Sequence, residues 1–366
     1  MLDHAWAVIL AGGYGERFWP ASTAARPKQL LSLLGDRTML EMAVDRLDGL
    51  IPPSRVVVLT SADLVDATAA AAPDLPAENI IGEPMRRDTA AAVALATAVV
   101  KGRDPSAVFC VLTADHVIGD LGTFQSILRS GLELASAADV LITIGVEPRF
   151  AATGYGYVEA AEVYPTLETS AESGVEFRKV SRFVEKPDRP TADAYLATGN
   201  FWWNSGMFIW SADSVRNAFE SHRPELAVFI DEMIPAVDST EFADALESGF
   251  EPLEKISIDY ALMERADNIV MAVGTFAWDD VGSWPAVANH LPSDEHGNAF
   301  VGEIEVLDAS SNIVLSEGRF TALIGVEDLV VVHTEDATLI CPKDRAEEVK
   351  KLVSRLRENP ERNDLV

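Results

Sequence analysis

A glycine-rich turn near the start of the chain carries residue types suited to binding phosphate. Residues 6–10 form an apolar, strand-like run that leads directly into the sequence AGGYG at 11–15. Because glycine has no Cβ, such a turn lets backbone N–H groups approach a polyphosphate closely and form an anion-binding nest. Arg17 and Lys28 follow and can add charge-assisted hydrogen bonds to the same oxygens. The segment therefore predicts a phosphate site.

Two other glycine motifs do not fit this turn. The dinucleotide fingerprint requires a third glycine where this chain has Phe18, and the P-loop requires a Gly-Lys-Ser/Thr sequence that the turn lacks. A tight turn that only joins a strand to a helix is the simplest alternative, but it would give Arg17 and Lys28 no common purpose. We therefore retain polyphosphate binding as the interpretation.

The turn, and the prolines and lysine that follow it, resemble the signature of sugar-1-phosphate nucleotidylyltransferases. Further motifs, in their order along the chain, resemble those of the bacterial mannose-1-phosphate guanylyltransferases. These motifs are GEPMRRDTA (82–90), TADH (113–116), GYGYVE (154–159), FVEKP (183–187), WNSGMF (203–208), SIDYALME (257–264) and WDDVGSW (278–284). The resemblance extends over roughly residues 6–290 and is weaker beyond them.

The resemblance implies an activity and a role for residues in each motif. The activity is transfer of GMP from GTP to α-D-mannose 1-phosphate by in-line attack at the α-phosphorus, giving GDP-mannose and pyrophosphate. Catalytic roles are implied for Arg17, Lys28, Asp115, Lys186 and Asp280. Nucleotide-binding roles are implied for Leu10, Ala11, Gly12, Gly13, Gly15, Glu83, Arg87, Asp88 and Thr89. Sugar-phosphate-binding roles are implied for Gly156, Glu185, Lys186 and Asn204.

Two aspartates are candidates for holding a magnesium ion. Asp115 follows an apolar run and Asp280 lies in the 278–284 motif, and carboxylates are the hard oxygen ligands that Mg²⁺ prefers. Spacing alone cannot pair them, and each has a plainer alternative, a helix N-cap for Asp115 and an Asx-turn for Asp280. The resemblance implies that both bind Mg²⁺, with Asp279 as the main rival of Asp280. We assign His116 no role as a base, because a sugar phosphate is already an anionic nucleophile.

Guanine recognition is expected in the 82–90 motif. Guanine presents two adjacent donors on its Watson–Crick edge, and one carboxylate can accept from both, so Glu83 or Asp88 could select this base. The sequence leaves the choice between them open. Arg86 and Arg87 are equally compatible with phosphate contacts and with solvent.

The sugar site is expected around Glu185 and Lys186. Adjacent strand residues point to opposite faces unless the strand breaks, and Pro187 favours a break. The resemblance implies that Glu185 accepts hydrogen bonds from sugar hydroxyls and that Lys186 binds the sugar phosphate; a surface ion pair is the alternative. Asp259 is left open as a sugar contact, a metal contact or an ordinary carboxylate early in a helix.

The composition argues against polyanionic partners. The 366-residue chain has a formal net charge of −29, which disfavours binding to nucleic acid and anionic membranes. It has neither a basic-plus-apolar leader nor an apolar stretch of about 18 residues, so we expect a cytoplasmic protein. Cys110 and Cys341 lie in or beside apolar runs and are expected to be buried apolar residues rather than a disulfide or metal pair.

Alternation of apolar runs with helical patterns predicts an α/β fold, a mostly parallel sheet with helices on both faces. Strands are predicted at 8–10, 56–59, 80–81, 108–112, 141–145 and 269–273, and helices at 38–50, 62–72, 88–100, 124–138 and 345–358. Residues 154–186 predict a β excursion with a polar connection at 166–174. The resemblance makes the first domain, 1–290, a Rossmann-like nucleotidyltransferase domain. Residues 291–366 predict a small β domain or a short left-handed β-helix, closed by the terminal helix.

We expect a homodimer, because the C-terminal strands are apolar and by analogy with the family. Family members with a second, isomerase domain continue well beyond the position of Val366, so only transferase activity is expected. One alternative is the same chemistry with another sugar 1-phosphate or NTP, such as a glucose 1-phosphate uridylyl- or adenylyltransferase. Another is a non-catalytic sensor of nucleotide sugars.

Overall fold

The computed structural model describes residues 2–165, 174–316 and 318–366, and the chain divides into two compact units. Unit 1 comprises Met1–Gly12, Ala43–Ala114 and Ile118–Trp278, and unit 2 comprises Gly13–Met42, Asp115–Val117 and Asp279–Val366. Within the described ranges, no helix combines the length and the apolar character needed to cross a lipid bilayer.

The secondary structure alternates strands and helices up to residue 288 and is β-rich afterwards. The strands are β1 (Ala5–Leu10), β2 (Val56–Ser61), β3 (Ile80–Glu83), β4 (Val108–Thr113), β5 (Val117–Ile118), β6 (Leu141–Val146), β7 (Tyr157–Val163), β8 (Phe177–Val184), β9 (Phe201–Ser211), β10 (Ile269–Gly274), β11 (Trp278–Asp279), β12 (Ala299–Val301), β13 (Ile304–Leu307), β14 (Ile313–Ser316), β15 (Thr321–Ile324), β16 (Leu329–His333) and β17 (Thr338–Pro342). The α-helices are α1 (Met39–Asp45), α2 (Val65–Ala71), α3 (Asp88–Arg103), α4 (Leu121–Ala137), α5 (Arg189–Thr198), α6 (Ala212–His222), α7 (Pro224–Met233), α8 (Phe242–Phe250), α9 (Trp284–Ala288) and α10 (Val349–Arg357).

Unit 1 is built on a nine-stranded sheet in the order β3-β2-β1-β4-β9-β6-β10-β8-β7. Neighbours are parallel from β3 to β4 and between β6 and β10, whereas β9 and β8 run antiparallel to the strands beside them. Among the described residues, seven of these strands therefore point one way and two the other. The prediction of a mostly parallel α/β sheet is confirmed, and its polar motifs follow the carboxyl ends of strands, where ligands bind in such sheets.

Helices cover both faces of this sheet. α3 is buried along residues 90–100 and shares one apolar cluster with Phe109 of β4. Such an all-round apolar helix is stable only when it is enclosed. On α4, a Cβ at Gly131 would lie 2.5 Å from Ile209 Cδ1. Ile209 pairs with Cys110, which points to the face opposite its neighbour Phe109 because strand side chains alternate.

Unit 2 contains two small sheets of parallel strands. β12, β14 and β16 pair in parallel and β17 closes that sheet in the antiparallel direction, while β13 pairs in parallel with β15. Strands that alternate between two parallel sheets along the chain are the pattern of a β-helix. The prediction of a small C-terminal β unit followed by a helix is confirmed, with α10 inside the predicted 345–358.

Buried asparagines join successive turns of this β unit. Asn298 and Asn312 are both fully buried, and Asn312 Nδ2 donates to Asn298 Oδ1 at 2.9 Å and to the Val326 carbonyl at 3.0 Å. Asn312 Oδ1 accepts the Leu329 backbone N–H at 3.0 Å. A buried amide with all these partners fixes the register of the turns, because a shift would leave several polar groups unpaired.

Some elements differ from those predicted. α1 stops at Asp45 rather than at residue 50, because 46–50 form turns. β9 was not predicted as a strand, because it mixes Asn204 and Ser205 into an apolar run and carries Gly206 with φ 70°. The polar connection predicted at 166–174 lies, apart from Gly174, outside the described residues. The domain boundary at residue 290 stays a prediction.

Candidate active site

The glycine turn of unit 2 is shaped around Lys28. Gly15 has φ 64°, in the left-handed region, and a Cβ there would overlap the Cβ of Lys28. Only glycine meets both conditions without strain. The hydroxyl of Ser22 donates to the Gly15 carbonyl at 2.6 Å, which fixes the turn. The predicted phosphate-binding turn and the predicted phosphate-binding lysine therefore lie against each other.

Lys28 links the two predicted metal ligands. Its side chain is buried, and Nζ donates to Asp115 Oδ2 at 2.9 Å and to the Asp280 carbonyl oxygen at 2.7 Å. The Phe18 ring lies beneath the ammonium, with its centroid 5.4 Å from Nζ. Burial opposes ionisation of Asp115, but the Lys28 ammonium and the His116 ring hold the pKa of that carboxyl below its ordinary value. Three segments that are far apart in the sequence thus meet at one ammonium group.

The turn that carries Asp280 is held in a strained conformation. Val281 has φ 46°, which is an uncommon and unfavourable conformation for a β-branched residue. Asp279 Oδ1 accepts the Val281 N–H at 2.7 Å, and Asp279 Oδ2 lies 3.0 Å from His290 Nε2. Asp279 therefore shapes the turn with both of its oxygens, an arrangement that favours Asp280 over Asp279 as the metal ligand. Arg17 Nη1 donates to the Gly282 carbonyl of this turn at 3.4 Å.

The carboxylates of Asp115 and Asp280 in unit 2 are suited to binding a hard divalent cation. Lys28 Nζ bonds the Asp115 carboxylate and the backbone carbonyl of Asp280, and both aspartates carry the carboxylate oxygens that Mg²⁺ prefers. Within the described ranges, no group of three or more His, Cys, Asp or Glu side chains is arranged to hold a metal. Mg²⁺ is usually held by one or two carboxylates together with substrate phosphates and water, so two aspartates suffice.

A buried carboxyl oxygen lies near Gly12 in unit 1. Glu83 ends β3, and a Cβ at Gly12 would lie 3.5 Å from Glu83 Oε2. Glu83 Oε1 is buried and has no hydrogen-bond partner within the described residues. Burial raises the pKa of Glu83 to about 7, and the Asp88 carboxylate adds to the rise, although the Arg86 guanidinium opposes it. An unpaired buried acceptor of this kind is costly unless a ligand pairs with it.

The other candidates in the 82–90 motif are bonded to the protein itself. Asp88 has φ 64°, and its Oδ1 accepts the Thr89 N–H at 2.8 Å. Thr89 Oγ1 accepts the Ile258 N–H at 2.8 Å, and Arg87 Nη2 donates to the Glu251 carbonyl. These bonds tie the motif to the segment before Asp259. The arrangement favours Glu83 over Asp88 as the reader of the base, a choice that the sequence left open.

The predicted break between Glu185 and Lys186 is present. β8 ends at Val184, and Lys186 has φ 47°, so the two side chains turn toward each other and Lys186 Nζ lies 2.8 Å from Glu185 Oε1. The Glu185 backbone N–H donates to Glu264 Oε1 at 3.1 Å. A Cβ at Gly156 would lie 2.5 Å from Glu185 Oε2, which explains a glycine at that position.

Asn204 joins Asp259, whose role the sequence left open, to Thr143, which the sequence did not single out. Asn204 Oδ1 accepts from the Thr143 hydroxyl at 2.8 Å, and Nδ2 donates to Asp259 Oδ1 at 3.1 Å. Burial raises the pKa of Asp259 to about 7, and the Glu185 carboxylate raises it further, although the Lys186 ammonium opposes the shift. Thr143 lies in the middle of a buried apolar strand, where no local pattern distinguishes it from a packing residue.

The chain matches two family models, one for each part of the sequence. Residues 6–296 match a nucleotidyl transferase model, and residues 302–356 match a mannose-phosphate isomerase/GMP-like β-helix domain. Nucleotidyl transferases generally use a divalent metal ion. The second match agrees with the paired parallel strands of unit 2.

Curated relatives cover almost the whole chain. The mannose-1-phosphate guanylyltransferase of Escherichia coli K12 is 36% identical over 96% of this chain and 73% of its own length. The enzyme of the same name from Klebsiella pneumoniae is 37% identical over 96% of this chain and 74% of its own length.

A solved structure has the same fold. A protein from Thermus thermophilus, described as a mannose-1-phosphate geranyltransferase, superposes with a TM-score of 0.85 at 33% identity and covers 97% of this chain and 99% of its own. Together with the motif geometry, these likenesses show that the chain belongs to the nucleotidyl transferase family, with the mannose-1-phosphate guanylyltransferases as its relatives.

Proposed function

We propose that this enzyme transfers GMP from GTP to α-D-mannose 1-phosphate and releases pyrophosphate, giving GDP-mannose. The observation that carries the proposal is the meeting of Lys28 with the Asp115 carboxylate and the Asp280 carbonyl beside the glycine turn. Glu83 Oε1, which has no hydrogen-bond partner within the described residues, adds to it. The curated relatives named for this activity extend over 96% of the chain, which supports the same assignment. We place the reaction in the cytoplasm, where GTP is available.

The residues of unit 2 are assigned to the triphosphate. Backbone N–H groups at Gly13 and Gly15 bind phosphate oxygens, and Lys28 and Arg17 add positive charge near them. Asp115 and Asp280 would hold Mg²⁺, which supplies positive charge to the α-phosphate and to the departing pyrophosphate. Positioning and electrostatic stabilisation then account for the rate, since the reaction needs no covalent enzyme intermediate.

The residues of unit 1 are assigned to the base and the sugar phosphate. The Glu83 carboxylate accepts hydrogen bonds from the two adjacent donors of guanine, next to the backbone of Leu10, Ala11 and Gly12. Lys186 binds the phosphate of the sugar, whose oxygen attacks the α-phosphorus directly. No general base is required, because the sugar phosphate is already an anionic nucleophile, and His116, 3.9 Å from the Asp115 carboxylate, is assigned an orienting role.

The first test is a matrix of four NTPs against the 1-phosphates of mannose, glucose and galactose, with pyrophosphate release as the readout. We expect GTP with mannose 1-phosphate to give the highest kcat/KM. A better turnover of UTP or ATP with glucose 1-phosphate would replace the proposed substrates while keeping the chemistry. Binding of GDP-mannose without turnover of any pair would identify a sensor and would end the proposal of catalysis.

Asp280→Asn should lower kcat by about 10²-fold or more at saturating substrates, on the scale of losing one electrostatic element of the transition state. The substitution keeps the size of the side chain but removes a charged ligand of Mg²⁺. Asp279→Asn is the matched comparison, because it alters the neighbouring turn residue in the same way. Near-wild-type turnover in Asp280→Asn would remove Asp280 from the mechanism.

The preference for GTP over ITP should depend on pH around 7 in the wild type. ITP lacks the exocyclic amine of guanine, so the ratio of the two kcat/KM values isolates the carboxylate contact from titration of the triphosphate. Because the pKa of Glu83 is raised to about 7, the accepting carboxylate is present above pH 7 and is lost as the pH falls below it. The ratio should therefore shrink between pH 8 and pH 6.

Glu83→Gln should bring the GTP/ITP ratio down about tenfold, as expected for a lost hydrogen bond to a charged group, and should remove its pH dependence. Asp88→Asn provides the comparison within the same motif. If Asp88→Asn equalises GTP and ITP while Glu83→Gln does not, the base is read by Asp88.

We also propose that the enzyme is a homodimer joined through an exposed apolar face on β13 and β15. Leu307 and Ile324 are register partners, and their exposed fractions are 57% and 69%. Phe320 precedes β15 and is 65% exposed. Contiguous exposed apolar side chains of this kind usually mark an interface.

The double substitution Leu307→Asp with Ile324→Asp should convert the dimer to a monomer in light scattering. Ile340→Asp is the control, since Ile340 is similarly exposed but belongs to β17 in the other small sheet. A wild-type monomer, or a dimer that survives the double substitution, would contradict this interface.

A further inference from the structure

Residues 343–366, which we call the closing segment, bond to the residues that follow the glycine turn in unit 2. Arg357, the last residue of α10, donates from Nη1 to Glu16 Oε1 at 2.8 Å. The indole Nε1 of Trp19 donates to the backbone carbonyl of Leu365 at 2.7 Å. Both bonds join positions more than 300 residues apart, so the sequence does not reveal them.

We propose that the closing segment positions the triphosphate-binding turn, with Trp19 and Arg357 as positioning residues for GTP. This inference rests on the proposed function, because it concerns the site that is assigned to the triphosphate. Neither side chain is assigned a contact with the substrate. Each acts through the turn residues that the substrate contacts.

Trp19 is linked to the Lys28 ammonium through two other aromatic residues. Trp284 is fully buried, and its Nε1 donates to the Trp19 carbonyl at 3.4 Å. The rings of Trp284 and Phe18 meet edge to face with their centroids 5.1 Å apart, a favourable geometry for an aromatic pair. The Phe18 ring then lies beneath the Lys28 ammonium. A displacement of Trp19 would therefore disturb the ring on which this ammonium rests.

The closing segment also belongs to the apolar core beneath the phosphate-binding region. Val349 and Val353 are four residues apart on α10, so they lie on one face of the helix. Both are buried in the same apolar cluster as Phe18 and as Val281, the residue after Asp280. Because protein interiors are close-packed, a shift of one member of such a cluster is passed to the others. The position of α10 therefore influences the glycine turn and the Asp280 turn together.

The pair between Glu16 and Arg357 has an electrostatic reason besides packing. Glu16 lies between Gly15 and Arg17, which are assigned to the triphosphate, and an unpaired carboxylate there would repel an anionic ligand. The Arg357 guanidinium offsets this charge and holds Glu16 on the side of α10. The pair is partly exposed, so its contribution to the free energy of unfolding is small. Its loss should therefore affect GTP binding more than stability.

Trp19→Phe should raise the KM for GTP about tenfold, because the Leu365 carbonyl loses its donor and the support of Phe18 is loosened. The KM for mannose 1-phosphate should stay within about twofold, since that substrate is assigned to unit 1. Trp6→Phe is the matched control: Trp6 is 7% exposed against 6% for Trp19, and its Nε1 donates to Asp104 at 3.5 Å in unit 1. An equal rise of the KM for GTP in Trp6→Phe would show a general packing defect and would contradict the positioning role.

Arg357→Ala should raise the KM for GTP about threefold to fivefold, on the scale of one partly exposed ion pair, without lowering the melting temperature by more than a few degrees. Glu16→Gln combined with Arg357→Ala should return the KM to within about twofold of the wild type, because the charge that Arg357 offsets is then absent. Arg355→Ala removes the same charge from an exposed position of α10 and should leave the KM unchanged. A double variant as impaired as Arg357→Ala, or an equal effect of Arg355→Ala, would overturn the role of the pair.

Calorimetric titration of GTP separates this inference from the proposed function. Wild-type binding that weakens in Trp19→Phe and in Arg357→Ala, without GMP transfer to any sugar phosphate, would support the positioning role and overturn the reaction. Transfer in the wild type, with a KM and an affinity for GTP that neither substitution changes, would support the reaction and overturn the positioning role.

Discussion

The buried ammonium group of Lys28 is the interaction on which the phosphate-binding region depends. A charge removed from water must be paired, and here the partners are the Asp115 carboxylate and the Asp280 carbonyl oxygen. Residues 28, 115 and 280 are far apart in the sequence, so this one group fixes where three segments of unit 2 must meet. The contact between Gly15 and the Lys28 Cβ then determines the shape of the glycine turn. The shape of the glycine turn therefore follows from the need to pair the buried Lys28 ammonium.

Because the chain has a net charge of −29, the positions of its few cationic side chains determine where an anionic substrate can bind. GTP and a sugar phosphate are both anions, and most of the surface of this chain repels them. The eight lysines of the chain include one in the glycine-turn region and one in the FVEKP motif, and each lies beside a carboxylate in the structure. Concentrating positive charge where phosphates are expected provides binding and excludes non-specific polyanions at the same time.

Much of the fold and of the candidate site could be predicted from the sequence, for identifiable reasons. The strands with continuous apolar runs, such as β1, β2 and β4, and the motifs that follow them were predicted because their signals are local. β9 was missed because polar residues and Gly206 interrupt its pattern. Thr143 was missed because its hydroxyl bonds Asn204, a residue on a neighbouring strand that no spacing along the chain identifies. A hydrogen bond between residues on two different strands leaves no pattern within either segment of the sequence, so it cannot be predicted from that segment.

The acidic residues of the site differ in pKa and in proposed role because their neighbours differ. Asp115 lies against the Lys28 ammonium, and its pKa is held below the ordinary value, as a ligand of a cation must be ionised. Burial raises the pKa of Glu83 to about 7, and its carboxylate is assigned to the two adjacent donors of guanine. Glu83 Oε1 has no hydrogen-bond partner within the described residues, so it remains available to a donating group of a ligand. Contact with the Lys28 ammonium therefore distinguishes Asp115, the proposed metal ligand, from Glu83, the proposed reader of the base.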